Sequence, residues 1–159
     1  MIWTPGHSDG HICLFRERDG VFLAADHVLP RITPNVGLYS EYDRSNPLGD
    51  YLNSLLKVAN LPARIVLPGH GDPFPNLAGR VQEIIDHHAE REMQILALLG
   101  DRPQDAYQLA KQLFGQRLKT NEALRMGVAE TLSHLEHLRL GGHVAQYRTT
   151  EGLVLYAAV

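Results

Sequence analysis

The stretch TPGHSDGHICLF, residues 4–15, joins a loop rich in glycine and histidine to a short apolar run. The glycine before His7 allows the backbone to come close to neighbouring groups. Loops at the ends of strands often carry the functional residues of α/β proteins. The stretch therefore has two interpretations: a loop that presents His7 to a metal ion, or a turn in which histidine has no function. Taken alone, it favours neither.

Two further motifs repeat this arrangement. Asp26 follows the apolar run that ends in AADHV, residues 24–28, and His70 lies in LPGHGD, residues 67–72, again just past an apolar run. Strand-to-loop junctions are where sites in α/β proteins are built. Imidazole and carboxylate groups suit zinc, manganese or iron. Three such positions in one chain make His7, Asp26 and His70 candidate metal ligands.

The pattern of apolar residues predicts an α/β fold for residues 1–99. The turn pair Asp19-Gly20 separates two apolar runs and is typical of a β-hairpin. Pro47 after Asn46 is typical of a helix start. The predicted elements, in chain order, are a hairpin at 11–15 and 21–25, a long loop at 26–45, a helix from residue 47, a buried strand within 63–75 and a helix over 77–99.

Residues 100–159 predict a second, smaller domain after a boundary near residue 100. A short helix is followed by a longer one capped by Thr120 or Asn121, and then by two strands joined at TTEG. Helices followed by a two-stranded wing are typical of a winged helix. This region holds seven Lys or Arg and six Asp or Glu residues. That balance disfavours a helix that reads duplex DNA and favours a structural cap, a pocket wall or a weak single-stranded RNA role.

The amino-acid composition limits the classes of protein to which the chain can belong. The 159 residues are 44% hydrophobic and 21% charged, with a net charge of −3, which is typical of a soluble globular protein. No apolar run is long enough to span a membrane, and the first residues do not have the pattern of a signal peptide. The lone Cys13 excludes an internal disulfide and fits a reducing compartment, so we expect a cytoplasmic protein.

The motifs around His7, Asp26 and His70 resemble those of the metallo-β-lactamase-fold hydrolases. The resemblance covers residues 1–99 and corresponds to the second half of that αββα sandwich. TPGHSDGH is similar to the family's TPGHTxGH, AADH to its xGDH with Ala25 in place of glycine, and LPGHGD to its last ligand motif. Three features narrow the resemblance to the lactamase-like endoribonuclease and glyoxalase II-like subgroup: the ADHVLPRITPNVG loop, the long helix with HHAER and the winged-helix tail.

The resemblance implies two zinc ions, with His7 on one, His70 on the other and Asp26 bridging them. It also implies that metal-bound hydroxide attacks an ester, thioester or phosphodiester, because zinc lowers the pKa of bound water to about 7. No side chain of this chain is assigned as a catalytic residue. The residues do not choose between a small-molecule ester or thioester and a single-stranded RNA as substrate.

One departure from the family is large, because its first motif, HxHxDH, is absent. The chain keeps one terminal ligand for each metal and the bridge, whereas a tetrahedral site needs about four donors. We therefore expect this chain to be the C-terminal part of a longer hydrolase. By itself it should be inactive and should bind zinc weakly or not at all. An apolar sheet face left uncovered predicts a homodimer or another association. Two alternatives are a winged-helix nucleic-acid-binding module beside a degenerate hydrolase scaffold, and a structural or partner protein that completes the fold of another chain.

Four more residues are candidates for supporting the ligands or contacting substrate. His11 begins the strand after His7, and a strand-end histidine is the simpler interpretation. His27 directly follows Asp26. His87 and Arg91 lie one helical turn apart. This pair has two interpretations: a site that binds an anion, or an ordinary solvated pair.

The remaining histidines and the cysteine have structural interpretations. His88 lies on the apolar side of its helix and predicts a hydrogen-bonded core histidine. His134 and His137 are expected at the surface or between the domains. Cys13, between apolar residues, is expected to be a small buried residue and not a nucleophile.

Overall fold

The computed structural model describes residues 1–40 and 43–159. They group into two compact units, residues 1–36 with 47–88 and residues 37–46 with 89–159. The strands and helices are β1 (Ile2–Trp3), β2 (Ile12–Arg16), β3 (Val21–Ala25), α1 (Pro47–Ala59), β4 (Ile65–Pro68), α2 (Leu77–Leu99), α3 (Ala106–Phe114), a 3₁₀ turn (Gly115–Arg117), α4 (Asn121–Leu140), β5 (Val144–Arg148) and β6 (Val154–Ala158). Helix α2 contributes to both units, whereas the sequence places a boundary at its end, near residue 100.

The first unit is built on a four-stranded sheet with the order β1-β2-β3-β4. Strands β2 and β3 form the predicted hairpin, with Leu14 opposite Leu23. Strand β4 is parallel to β3, with Phe22 opposite Val66. The carboxyl ends of these two parallel strands therefore lie at the same edge of the sheet, and Asp26 and His70 follow directly after them.

One face of this sheet is packed and the other is open. Cys13, Phe22 and Val66 point into a core that α1 and the first half of α2 complete with the buried side chains Leu48, Tyr51, Leu55, Val58, Leu77, Val81 and Ile84. The alternate residues on the opposite face are apolar as well. They are Trp3, Ile12, Leu14 and Leu23, each between 43% and 49% exposed. The sequence pattern is therefore that of a sheet with two apolar faces.

The second unit has the predicted order of two helices and a two-stranded sheet. The carboxylate of Asp105 accepts a hydrogen bond from the Gln108 amide at the start of α3. Thr120 caps α4 through the Ala123 amide, as predicted. Strands β5 and β6 pair antiparallel across residues 149–153. The assignment of this arrangement to the winged-helix class stays a prediction.

His134 is not at the surface, which is one of the two positions predicted for it. The side chain is 1% exposed, and its Nδ1 lies 2.9 Å from the carbonyl oxygen of Glu130, one turn earlier in α4. This local hydrogen bond satisfies the imidazole inside the helix packing, so a polar residue type is compatible with a buried position. His137, in contrast, is only half-buried.

None of the helices in the described part of the chain is long and apolar enough to cross a membrane.

Candidate metal centre

The structure brings the three candidate ligands together at one edge of the sheet. His7 lies in the loop between β1 and β2, Asp26 directly after β3, and His70 two residues after β4. The Nε2 atom of His7 is 3.8 Å from Oδ2 of Asp26, and the Nε2 atom of His70 is 3.6 Å from Oδ1 of the same carboxylate. Each oxygen of Asp26 thus faces a different imidazole.

The carboxylate of Asp26 has an unsatisfied oxygen. Its Oδ1 is buried and has no hydrogen-bond partner among the described residues. Burying a charged oxygen without a donor or a cation costs free energy. This atom is therefore placed where a positively charged group would stabilise it.

The backbone before Asp26 takes an unusual conformation. Ala25 has φ of +46°, and it is the only described residue other than glycine with a positive φ. The pairing of β3 with β4 shifts register between Leu23 and Ala25. The replacement of the family's glycine by alanine is thus more than a small change, because this region of φ favours glycine. The distortion ends the strand and begins the turn that carries Asp26.

Gly69 allows β4 to approach the carboxylate. A Cβ atom added at Gly69 would lie only 2.2 Å from Oδ1 of Asp26. The Gly69 amide donates a 2.7 Å hydrogen bond to the carbonyl oxygen of Ala25. Only a residue without a side chain fits this approach, so the glycine before His70 positions Asp26 as well as the histidine.

A backbone carbonyl fixes the orientation of His7. The Nδ1 atom lies 2.8 Å from the carbonyl oxygen of Asn35. A carbonyl only accepts, so Nδ1 carries a hydrogen, and Nε2 is the ring nitrogen that faces Asp26. Histidine ligands of metals are commonly held in this way through the second ring nitrogen. His70 has a side chain that is 73% exposed, against 32% for His7.

Hydrogen bonds within the loop and contacts with α1 fix the conformation of the loop that holds His7. The Thr4 amide donates to the carbonyl oxygen of His11 over 2.9 Å, and the Thr4 hydroxyl lies 2.8 Å from Nδ1 of His11. Ser54 on α1 donates a hydrogen bond to the carbonyl oxygen of Pro5. Gly6, at φ of +132°, lies so close to Tyr51 that an added Cβ would be 2.4 Å from its Cβ.

The rings of His11 and His27 lie next to one another, and the His11 ring also lies next to that of His7. The His11 ring centroid is 6.2 Å from that of His7 and 5.7 Å from that of His27. Burial lowers the pKa of His11, as does the neighbouring His7, while Asp26 opposes the shift. Burial lowers the pKa of His27 to about 4, partly opposed by the backbone of Ser54. Both rings are thus neutral near pH 7, and their predicted supporting role stays a prediction.

The other two candidates lie on α2. Arg91 is 8% exposed, and its guanidinium lies 4.7 Å from the centroid of the Phe114 ring, where a cation–π contact stabilises it. His87 is half-buried, with its ring centroid 5.7 Å from that of His88. The buried position predicted for His88 is confirmed, at 1% exposure. The anion site suggested for His87 and Arg91 stays a prediction.

Sequence reasoning missed the side chain that anchors the long loop. Arg80 on α2 donates from Nε to the carbonyl oxygen of Leu29 over 2.7 Å and from Nη2 to that of Ile32 over 3.0 Å. These bonds fix the loop that runs from Asp26 towards Asn35. A single arginine on a helix does not indicate its partners, because backbone acceptors leave no pattern in the sequence.

Cys13 lies under the site and is not a nucleophile. Its side chain is fully buried. Burial raises the pKa of the thiol to about 11, although the hydrogen bond with Thr4 opposes the shift. A buried thiol that stays protonated near neutral pH is unreactive, which confirms the prediction of a small core residue.

The three ligands fit the requirements of two metal ions only in part. No group of three or more His, Cys, Asp or Glu side chains within residues 1–40 and 43–159 is arranged to hold one metal ion. The two imidazole–carboxylate distances of 3.8 and 3.6 Å are slightly longer than the separation of about 3.4 Å between two donors on a tetrahedral zinc. The geometry therefore provides two pairs of donors that share Asp26, and each pair lacks further ligands.

A cavity of about 180 Å³ adjoins His70. It is lined by Pro30, Arg31, Ile32, His70, Gly71 and Asp72. It places an apolar wall and the Arg31 side chain beside one of the candidate ligands.

Comparison with known families matches both ends of the chain. The family model described as metallo-beta-lactamase superfamily matches residues 1–70. The family model described as metallo-beta-lactamase-like, C-terminal domain, matches residues 93–159. The first match contains His7, Asp26 and His70.

Relatives of known structure are similar over nearly the whole chain. A metallo-beta-lactamase family protein from Thermus thermophilus is 40% identical, with a TM-score of 0.87 over 99% of this chain and 48% of that chain. A beta-lactamase domain protein from Burkholderia ambifaria is 32% identical, with a TM-score of 0.90 over 98% of this chain and 46% of that chain.

Two curated relatives carry functional names. The probable metallo-hydrolase YqjP of Bacillus subtilis is 32% identical over 98% of this chain and 49% of its own length. An atrochrysone carboxyl ACP thioesterase of Aspergillus fumigatus is 35% identical over 62% of this chain and 28% of its own length. The chain thus spans about half the length of the Bacillus relative.

Proposed function

Since the chain belongs to the metallo-beta-lactamase superfamily, we propose that it supplies part of the metal site of a hydrolase through His7, Asp26 and His70. One observation carries the proposal: the two oxygens of Asp26 face the Nε2 atoms of two histidines at 3.8 and 3.6 Å. The unsatisfied Oδ1 of Asp26 supports it, because a cation between the ligands would compensate this buried charge.

His7 and Oδ2 of Asp26 would hold one divalent ion, and His70 and Oδ1 would hold a second. Zinc suits these ligands, and when bound it makes water acidic enough to act as a nucleophile and polarises a substrate oxygen. The carbonyl oxygen of Asn35 keeps the hydrogen of His7 on Nδ1 and thereby leaves Nε2 available. Gly69 keeps the carboxylate within reach of both histidines.

The substrate class we favour is a carboxylic ester or thioester. A relative named as an acyl carrier protein thioesterase supports this class, because its match of 98 residues is 35% identical. The cavity beside His70 has the apolar wall that an acyl chain would contact. Hydrolysis needs donors beyond the three named here, so we expect negligible turnover from this chain alone.

Metal binding by matched variants tests the ligand assignment. We expect Asp26→Asn and His7→Asn each to weaken Zn²⁺ binding by about tenfold or more, since each removes a charged or lone-pair donor. Asp101→Asn removes the same charge from an exposed carboxylate outside the candidate site and should leave Zn²⁺ binding unchanged. Isothermal titration calorimetry with Zn²⁺, and analysis of the bound metal after dialysis, measure Zn²⁺ binding by each variant.

Equal losses in Asp26→Asn and Asp101→Asn would contradict the assignment, and so would unchanged binding in Asp26→Asn. Hydrolysis of a thioester, an ester and a phosphodiester by a chain of the relatives' full length tests the substrate class separately. Faster turnover of the phosphodiester would overturn our choice without affecting the ligands.

Self-association through the open sheet face remains a prediction from the sequence. Trp3, Ile12, Leu14 and Leu23 form a continuous apolar patch on that face, and burying such a patch against a second copy of the chain is favourable. Light scattering over a concentration series should give a dimer, and Leu14→Glu should shift it to monomer. A clean monomer at high concentration would contradict the prediction.

The nucleic-acid alternative gains no support from α4. Arg125 pairs with Glu122 at 2.7 Å, and Arg139 pairs with Glu136 at 2.8 Å. Arginines neutralised within their own helix contribute little to phosphate binding. A fluorescence titration with single-stranded and double-stranded oligonucleotides tests this alternative, which requires saturable binding with a steep salt dependence.

A further inference from the structure

The second unit contains a cavity of about 330 Å³ with both polar and apolar lining residues. Its walls are formed by Asn46, Glu92, His137, Leu138, Leu140, Gly141 and His143. The volume lies at the lower end of the range of small-molecule sites, about 300–1,000 Å³. None of the candidate metal ligands belongs to this cavity.

Two hydrogen-bond acceptors face one another in this cavity. Nδ1 of His137 lies 3.1 Å from Oδ1 of Asn46. The amide oxygen accepts, so Nδ1 carries the hydrogen and Nε2 is left with a lone pair. That Nε2 atom is 3.7 Å from Oε1 of Glu92, too far for a hydrogen bond. Burial lowers the pKa of His137, which favours this neutral form of the ring.

Glu92 carries a charge that the surrounding residues do not compensate. Its Oε1 is buried and has no hydrogen-bond partner among the described residues. Burial raises the pKa of Glu92, and the nearby His143 opposes that shift only in part. A buried carboxylate oxygen without a donor is costly, so a ligand that brings positive charge and N–H groups would be stabilised here.

The end of α4 adds to the preference for a cation. Leu138, Leu140 and Gly141 belong to its last turn and its C-cap. The carboxyl end of a helix carries a partial negative charge that attracts cations. The Leu140 side chain, which is 52% exposed, also provides apolar surface, which a hydrated inorganic ion does not use. The cavity thus combines a charged end with an apolar wall.

We infer that this cavity binds a small organic cation, an alkylammonium whose NH₃⁺ group donates to Oε1 of Glu92 and Nε2 of His137 while its stem lies against the exposed side chain of Leu140. An ammonium has three donors and no acceptor, which matches two facing acceptors with no hydrogen between them. An anion is excluded by Glu92. A metal ion is disfavoured, because no three His, Cys, Asp or Glu side chains of the described residues converge on one point.

Calorimetric titration of the whole chain with n-butylammonium, 1-butanol and Zn²⁺ tests the inference. We expect one saturable site for butylammonium, with binding of butanol at least about tenfold weaker because it lacks the charge. Glu92→Gln keeps the shape of the side chain and removes its charge, so it should weaken butylammonium by about tenfold or more. Glu90→Gln, an exposed position on the same helix, should bind like the unsubstituted chain.

A second measurement does not depend on the variants folding. In two-dimensional NMR of the unsubstituted chain, butylammonium should shift the amides of Gly141 and His143 and leave those of the candidate metal centre unchanged. The inference is overturned if butanol binds as well as butylammonium, if Glu92→Gln binds unchanged, or if the shifted amides lie elsewhere. It is equally overturned if Zn²⁺ saturates the cavity and butylammonium does not compete.

Discussion

The two histidine loops of the candidate metal centre are held in different ways. The His7 loop, residues 4–11, is tied by Thr4 to His11, by Pro5 to α1 and by His7 itself to the carbonyl oxygen of Asn35. The His70 loop, residues 69–73, presents an imidazole that is 73% exposed and faces Asp26. The ring of one candidate ligand is thus fixed by a hydrogen bond to the backbone, whereas the ring of the other is largely exposed.

This difference shows which part of the candidate site is already ordered in the folded chain. Backbone hydrogen bonds and close packing already fix the orientation of the His7 ring. No further entropy is therefore lost in orienting this ring when a ligand binds. His70, if it binds a metal ion as proposed, would lose side-chain entropy on binding. Substitutions in the His7 loop should therefore affect stability, and those in the His70 loop should affect ligand binding.

The largest effect is expected from Gly6→Ala. The new Cβ would lie 2.4 Å from that of Tyr51, and φ of +132° is unfavourable for alanine. We expect the free energy of unfolding of the first unit to fall by about 3 kcal/mol or more. The sole tryptophan, Trp3, lies beside this loop, so urea unfolding followed by its fluorescence measures the loss. Gly10→Ala, whose Cβ has no neighbour within 4 Å, should change it by less than about 0.5 kcal/mol.

Gly69→Ala should disturb the site more than the fold. Its Cβ would meet Oδ1 of Asp26 at 2.2 Å, and a carboxylate can rotate away, so the expected loss of stability is only about 1 kcal/mol. Zn²⁺ binding should fall as in Asp26→Asn, because the displaced oxygen no longer faces His70. Calorimetric titration beside urea unfolding separates the two effects. Unchanged Zn²⁺ binding would show that the approach of β4 does not position the carboxylate.

Ala25→Gly should stabilise the protein slightly. The left-handed conformation costs alanine about 1–2 kcal/mol, and glycine avoids that cost but loses about 0.4–1 kcal/mol through its freer unfolded chain. The expected net gain in the free energy of unfolding is about 0.5 kcal/mol. Ala24→Gly is the matched control, because Ala24 is fully buried in β3 with a negative φ and its replacement should destabilise. A loss in both variants would contradict the strain at residue 25.

The smallest effect on stability is expected for His70→Ala. The side chain is largely exposed, so the free energy of unfolding should change by less than about 0.5 kcal/mol, while Zn²⁺ binding weakens. His7→Ala should cost about 1 kcal/mol, since it removes the hydrogen bond to Asn35. Urea unfolding of both variants tests the comparison directly, and equal losses would remove the distinction between the two loops.

The sequence predicted the elements wherever local signals agreed. The hairpin followed from two apolar runs around Asp19-Gly20, and the helix over 77–99 from its pattern of apolar residues. The candidate ligands followed from motifs at strand ends, and the structure brings His7, Asp26 and His70 together. Each of these features depends on residues that are close in the chain.

Features that depend on distant backbone groups could not be predicted. The partner of His7 is a carbonyl group 28 residues away, and Arg80 binds carbonyls 48 and 51 residues away. Every residue has a carbonyl, so neither contact leaves a compositional signal. His134 misled for the opposite reason: its residue type favours the surface, but a carbonyl in its own helix satisfies it.

The hydrogen bond from His7 to Asn35 also decides which changes the site tolerates. Its acceptor is main chain, so any residue type at position 35 can provide it, and a point substitution there removes nothing that His7 needs. Insertion or deletion of one residue between Pro30 and Val36 would instead move the acceptor away and release Nδ1. The site is therefore insensitive to the composition of this loop and sensitive to its length, so gaps, more than mismatches, should mark relatives that have lost it.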